Sequence, residues 1–87
     1  MNTIQIPPVL RTLSSGAGSI EAKVATVREA IMELERRFPG MRDRLCEGDM
    51  LRPGLNVVVG SHVHCRMLNV PIPTGAEILF IPAVAGG

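Results

Sequence analysis

The sequence predicts a single α+β domain in which one main helix lies across one face of a mixed sheet of about five strands. Three observations carry this. Only one long stretch, from Val27 to Phe38, repeats its apolar residues at helical spacing. Short strand-like runs flank it, two before and three after. The 87 residues, 46% of them hydrophobic, supply one core and not two. A lone amphipathic helix can cover one face of a small sheet, giving a two-layer domain.

Each element follows from local chemistry. In "TIQI" polar and apolar residues alternate, placing Ile4 and Ile6 on one face of a first strand. Pro7-Pro8 removes two ladder donors, so this strand is expected to bend or run at an edge before "VLRTL". "SSGAG" is a turn cluster. "SIEAKV" alternates again with Ile20, Ala22 and Val24 inward, closing a first hairpin. Thr26 followed by Glu29 is a capping-box pattern and starts the helix. Val27, Ala30, Ile31, Leu34 and Phe38 form its apolar stripe, and Glu33 and Arg37 pair on the solvent side. Pro39-Gly40 ends it. "MRDRLCE" adds one further turn with Met41 and Leu45 inward. "LNVVVG" and "SHVHCRML" read as a second hairpin about a two-residue Gly60-Ser61 turn. Val63, Cys65 and Met67 are assigned to its inner face. "VPIPTG" is loop and "AEILFI" the last strand, with Ile78 and Phe80 toward the helix and Leu79 and Ile81 outward. The order strand-strand-helix-strand-strand-strand fits a ubiquitin-like β-grasp. A ferredoxin-like fold, the runner-up, wants a second full helix.

Composition narrows the function classes. A net charge of +1, with the basic residues of "RRFPGMRDR" interleaved with acidic ones, argues against a nucleic-acid partner. The absence of Trp and Tyr removes the usual base-stacking platforms. No apolar run approaches the roughly 18–20 residues that span a bilayer, so no membrane partner is expected. "MNTIQIPPVLRTL" lacks the basic and apolar regions of a signal peptide. Two cysteines are too few for a disulfide framework, and a cytoplasmic setting with free thiols fits.

The end of the chain, "PAVAGG", is the feature that points to chemistry. Pro82 cannot donate to a ladder, so regular pairing ends near it. The segment 82–87 is read as a flexible tail on a folded domain of residues 1–81, with a reach of roughly 20 Å. Two glycines without Cβ atoms can thread a channel that other residues would block. Their ordering cost suits a segment that becomes fixed only on binding. Such a tail delivers the carboxylate of Gly87 into another protein's active site.

In this frame the sequence resembles the sulfur carriers of the MoaD/ThiS type. The likeness runs through "IPPVLRTLSSGAG", "TVREAIMELERRFPGMRDRL", "LNVVVG" with Arg66, and "ILFIPAVAGG". The ending "PAVAGG" and "RFPGMRDRL" most resemble carriers serving cysteine synthase-type or thio-metabolite enzymes. The acidic loop common before the family's last strand is reduced here to Glu77, which bears on partner choice.

The resemblance implies a protein co-substrate rather than an enzyme. A partner like the ubiquitin-activating adenylyltransferases would use ATP to adenylate the Gly87 carboxylate. A persulfide donor, such as a rhodanese, would then convert it to a thiocarboxylate. The implied acceptor is an enzyme such as a cysteine synthase homologue, and a metalloprotease that trims extra tail residues is a further partner. No bound cofactor and no P-loop are expected in the chain itself. Gly86 and Gly87 would carry the chemistry; Leu79, Ile81, Pro82, Ala83, Val84, Ala85 and Arg66 would meet partners. The alternatives are a ubiquitin-like modifier joined through Gly87 to lysines, or the small subunit of a molybdopterin synthase-like complex.

The remaining candidates are weaker. His62 and His64 share a strand face, but a closed metal site wants about four ligands, so no metal is assigned. Cys46 and Cys65 lack the surroundings of activated thiols. Arg11 and Arg66 read first as solvated surface.

Overall fold

The computed structural model describes residues 1–82. Its main sheet has five strands: β1 (Asn2–Gln5), β2 (Ser19–Ala22), β5 (Leu55–Val59), β6 (His62–Cys65) and β7 (Glu77–Pro82), in the order β2-β1-β7-β5-β6. β1 and β7 run parallel and every other pair is antiparallel. Two helices follow β2: α1 (Val27–Arg37) and the short α2 (Met41–Leu45). This mixed five-stranded sheet with one main helix is the β-grasp arrangement that the element order predicts.

The helix forms where its capping chemistry places it. The Thr26 hydroxyl accepts from the Glu29 amide at 3.2 Å, and the Glu29 carboxylate accepts from the Ala25 amide at 3.0 Å. Two orphan donors are thereby satisfied. Val27, Ala30, Ile31 and Leu34 are buried against the sheet's inner face, where Ile4, Ile20, Ala22, Val57, Val59, Ile78 and Phe80 meet them. At the far end Gly40 takes φ +103°, a left-handed turn that a Cβ would strain. Met41 and Leu45 on α2 are then fully buried. The Glu35 carboxylate accepts from the amides of Arg42 and Gly40, serving the open N-terminal donors of α2. These backbone donors hold its carboxyl below the usual range.

Four expectations need correction. β1 neither bends nor lies at an edge; it sits between β2 and β7. It stops at Gln5, and Pro8–Leu10 form a 3-10 turn, because proline suits the first position of a helical turn. A small second sheet was also not foreseen: β3 (Cys46–Glu47) and β4 (Met50–Leu51) pair about Gly48-Asp49. Val63, Cys65 and Met67 are not in the core. All three are exposed, Val63 by 59% and Met67 by 57%. Arg66 is more than solvated surface. It takes φ +52°, and its Nε donates to the Leu51 carbonyl at 2.8 Å while the Leu51 amide donates back to its carbonyl at 3.0 Å.

The long connection between β6 and β7 also belongs to the core. Val70 and Ile72 are buried, and the Ile72 amide donates to the Ala25 carbonyl at 2.8 Å. Asn2, itself buried, donates both side-chain N–H bonds to the carbonyls of Pro73 and Ala76. That amide fixes the approach to β7.

Candidate functional site

The candidate site lies where β7 ends. Alternation along β7 sends Ile78 and Phe80 into the core, leaving Leu79 and Ile81 half-buried on the outer face. Register extends this face sideways. Leu79 stands opposite Val58, which stands opposite Val63; Ile81 stands opposite Asn56, which stands opposite Cys65. Cross-strand partners point to the same face. Leu79, Val58 and Val63 therefore form an apolar row across three strands, three residues before the end of β7.

Pro82 is the last described residue of β7, opposite Leu55. Beside it is a cavity of about 320 Å³, walled by Pro7, Pro8, Arg11, Leu79, Ile81 and Pro82. The 3-10 turn after β1 builds one wall, which is why Leu79 and Ile81 are half-buried rather than bare. Arg11 is held there by donating Nε–H to the Ile6 carbonyl at 3.1 Å. At the opposite rim Gln5 donates to the Glu77 carboxylate at 2.7 Å. The surroundings are apolar with one cation and one anion, suited to a protein contact and offering no cluster for bond-making.

Arg66 follows β6 at the same end of the sheet, beyond Cys65 and its partner Asn56. The Nε–H bond to the Leu51 carbonyl and a 4.0 Å approach to Glu47 commit much of its side chain to the β3–β4 hairpin. Ala83, Val84, Ala85, Gly86 and Gly87 lie outside the described residues.

Both cysteines are free. Cys46 is buried, and burial pushes its thiol up, partly offset by Arg42 and Arg28. A raised thiol is a poor nucleophile at neutral pH. Among the described residues no group of three or more His, Cys, Asp or Glu side chains could hold a metal ion. None of their helices is long and apolar enough to cross a membrane.

Val63 is the surface residue that the alternation argument missed. A two-residue turn sets Val59 opposite His62, and Val59 faces the core. The histidines must then share the inner-side face, and Val63 and Cys65 the outer one. Turn length fixes that parity from the sequence alone.

Comparison with known proteins agrees with this architecture. The ThiS family model matches residues 4–87. The sulfur carrier protein CysO of Mycobacterium tuberculosis is 33% identical over 92 residues, covering 98% of this chain and 97% of that protein. A chain of the Amycolatopsis orientalis BexX/CysO complex superposes with a TM-score of 0.85 at 36% identity, with both chains covered completely. The crystal structure of M. tuberculosis CysO gives 0.84 at 27% identity, covering 97% of this chain and 100% of that one.

Proposed function

Because the chain belongs to the ThiS family of ubiquitin-like sulfur carriers, we propose that it carries sulfur as a thiocarboxylate on Gly87. It is a carrier and substrate for partner enzymes rather than a catalyst. The observation that supports the division of labour is the outer face around Leu79 and Ile81, set immediately before Pro82. Five residues follow Pro82 and can span at most about 18 Å. A partner that grips this face therefore has Gly87 within one active-site depth.

The chemistry follows from the carboxylate itself. It is anionic and resonance-stabilised, so nucleophiles avoid it. An adenylyltransferase partner uses ATP to join it to AMP, releasing pyrophosphate. The carbonyl carbon is then electrophilic and has a good leaving group. A persulfide donor such as a rhodanese attacks through its terminal sulfur and AMP departs. A second thiol, from the donor protein or a small dithiol, then attacks the donor's own sulfur. That thiol and the donor are oxidised to a disulfide, and the S–S bond to the carrier breaks to leave Gly87 as a thiocarboxylate, which is nucleophilic as its anion. Gly86 and Gly87 offer no side chain to obstruct the partner's channel. Ala83, Val84 and Ala85 are the spacer.

The receiving enzyme in this reading is a cysteine synthase homologue or another sulfur-incorporating enzyme. A relative's capture in the BexX/CysO complex supports a direct protein–protein handover.

Intact-mass spectrometry of the protein from its native cells tests the proposal. The expected species is heavier by one exchange of oxygen for sulfur at the C-terminus. Isopeptide-linked Gly-Gly remnants on lysines of other proteins, without that species, would establish a protein modifier instead. A metalloprotease that trims the tail would reveal itself as a longer precursor.

A further inference from the structure

We propose that the open edge of β6 is half of a metal site, completed by a second copy of this chain: His62 and His64 of two copies would together bind one zinc-class divalent ion.

The two edges of the main sheet differ. At the β2 edge the outward carbonyl of Glu21 accepts from Arg37 at 2.9 Å. At the β6 edge the outward main-chain groups are identified by hydrogen-bond parity. The Gly60 amide donates to the Glu77 carbonyl at 2.9 Å, so Gly60, Val58 and Asn56 direct their main-chain groups toward β7. Val59 and Val57 then direct theirs toward His62 and His64, their partners on β6. The N–H and C=O of Ser61, Val63 and Cys65 consequently point off the sheet. The run has two natural stops. Gly60 turns the chain at one end, and at the other the Arg66 carbonyl is taken by the Leu51 amide.

The free segment is thus Ser61 to Cys65, and its midpoint is Val63. Antiparallel pairing of two copies over the whole segment places Val63 opposite Val63 as a hydrogen-bonded pair. Each His62 then faces the other copy's His64 as a non-hydrogen-bonded pair, with Cα atoms about 4.5 Å apart. Within one copy the two histidines are about 6.7 Å apart along the strand. All four imidazoles stand on one sheet face, around a common centre. Four nitrogen ligands are what a closed zinc site takes, at about 2.0–2.1 Å each. One copy supplies half, consistent with the absence of any cluster of three or more metal-binding side chains among the described residues. His62 is exposed and His64 half-buried, so neither is committed to the core. On the opposite face the same pairing covers Val63, 59% exposed in the single chain.

Untagged protein should be followed by light scattering and sedimentation while zinc is added, then removed with a chelator. The expected result is a doubling of mass with one zinc per two chains, reversed by the chelator. His62→Ala and His64→Ala should each remain monomeric over the same zinc range, with unchanged circular dichroism. Cys65→Ser should double as the parent does. Zinc bound without a change in mass, doubling that survives both histidine variants, or doubling lost in Cys65→Ser would each overturn the proposal. So would the absence of any zinc-dependent change. None of these outcomes depends on Gly87, so a carrier that loads sulfur normally is compatible with either answer.

Discussion

Single residues divide between holding the domain and presenting it. Ile81 presents. It is half-buried beside Pro7, Pro8 and Arg11, with its neighbour Phe80 in the core. Ile81→Asp puts a charge on the proposed docking face and leaves the core untouched. We expect at least tenfold weaker binding to the adenylyltransferase partner, about 1.4 kcal/mol. The unfolding midpoint should change little, as for surface substitutions generally. Titration calorimetry with a denaturation curve checks both, and unchanged binding would remove Ile81 from the interface. Glu35 holds. The amides of Arg42 and Gly40 lower its carboxyl in the folded chain. Its contribution is therefore full above the ordinary carboxylate pKa of about 4.3 and is lost as pH falls through the lower folded value. Glu35→Gln should destabilise at neutral pH and give a shallower loss of stability on acidification. Parallel acid-denaturation curves would contradict the capping role.

At the scale of elements, legibility tracks locality. The helix was readable because Thr26, Glu29 and the stripe from Val27 to Leu34 act within one segment. β7 was readable because its alternation is bounded by a turn and Pro82. The β3–β4 hairpin was missed although Gly48-Asp49 is a permitted two-residue turn; two-residue strands carry no periodicity to detect. The inner-face assignment of Cys65 failed because an apolar alternation says that two faces differ, not which one is inside. The β5–β6 register decides that. Arg66 illustrates a role invisible without tertiary contacts, since Leu51 is fifteen residues away. If the Arg66 side chain fastens β4 to β6, Arg66→Ala should cost about 1 kcal/mol. Arg66→Gly should cost less than Arg66→Ala, because glycine relieves the φ of +52°. Urea midpoints measure the difference, and two midpoints equal to the parent's would show that Arg66 does not fasten β4 to β6.

For the whole molecule, the fold and the chemistry are separable by truncation. Every core residue identified in the described chain lies between Ile4 and Phe80. The outer-face row of Leu79, Val58 and Val63 is complete before Pro82. A chain ending at Pro82 should therefore unfold within about 0.5 kcal/mol of the parent, the range of changes outside the core. It lacks the carboxyl of Gly87 in its proper place and should accept no sulfur. Yet it retains the proposed docking face, so it should compete with the full chain for the proposed adenylyltransferase partner and slow thiocarboxylate formation in proportion to its concentration. The three readouts distinguish the possibilities. Loss of stability would show that residues 83–87 pack against the domain. Failure to compete would show that the partner recognises those residues and not the sheet. Competition by a stable, unloadable chain would establish that affinity resides in the sheet face and reactivity in the last residue, the arrangement the proposed handover requires.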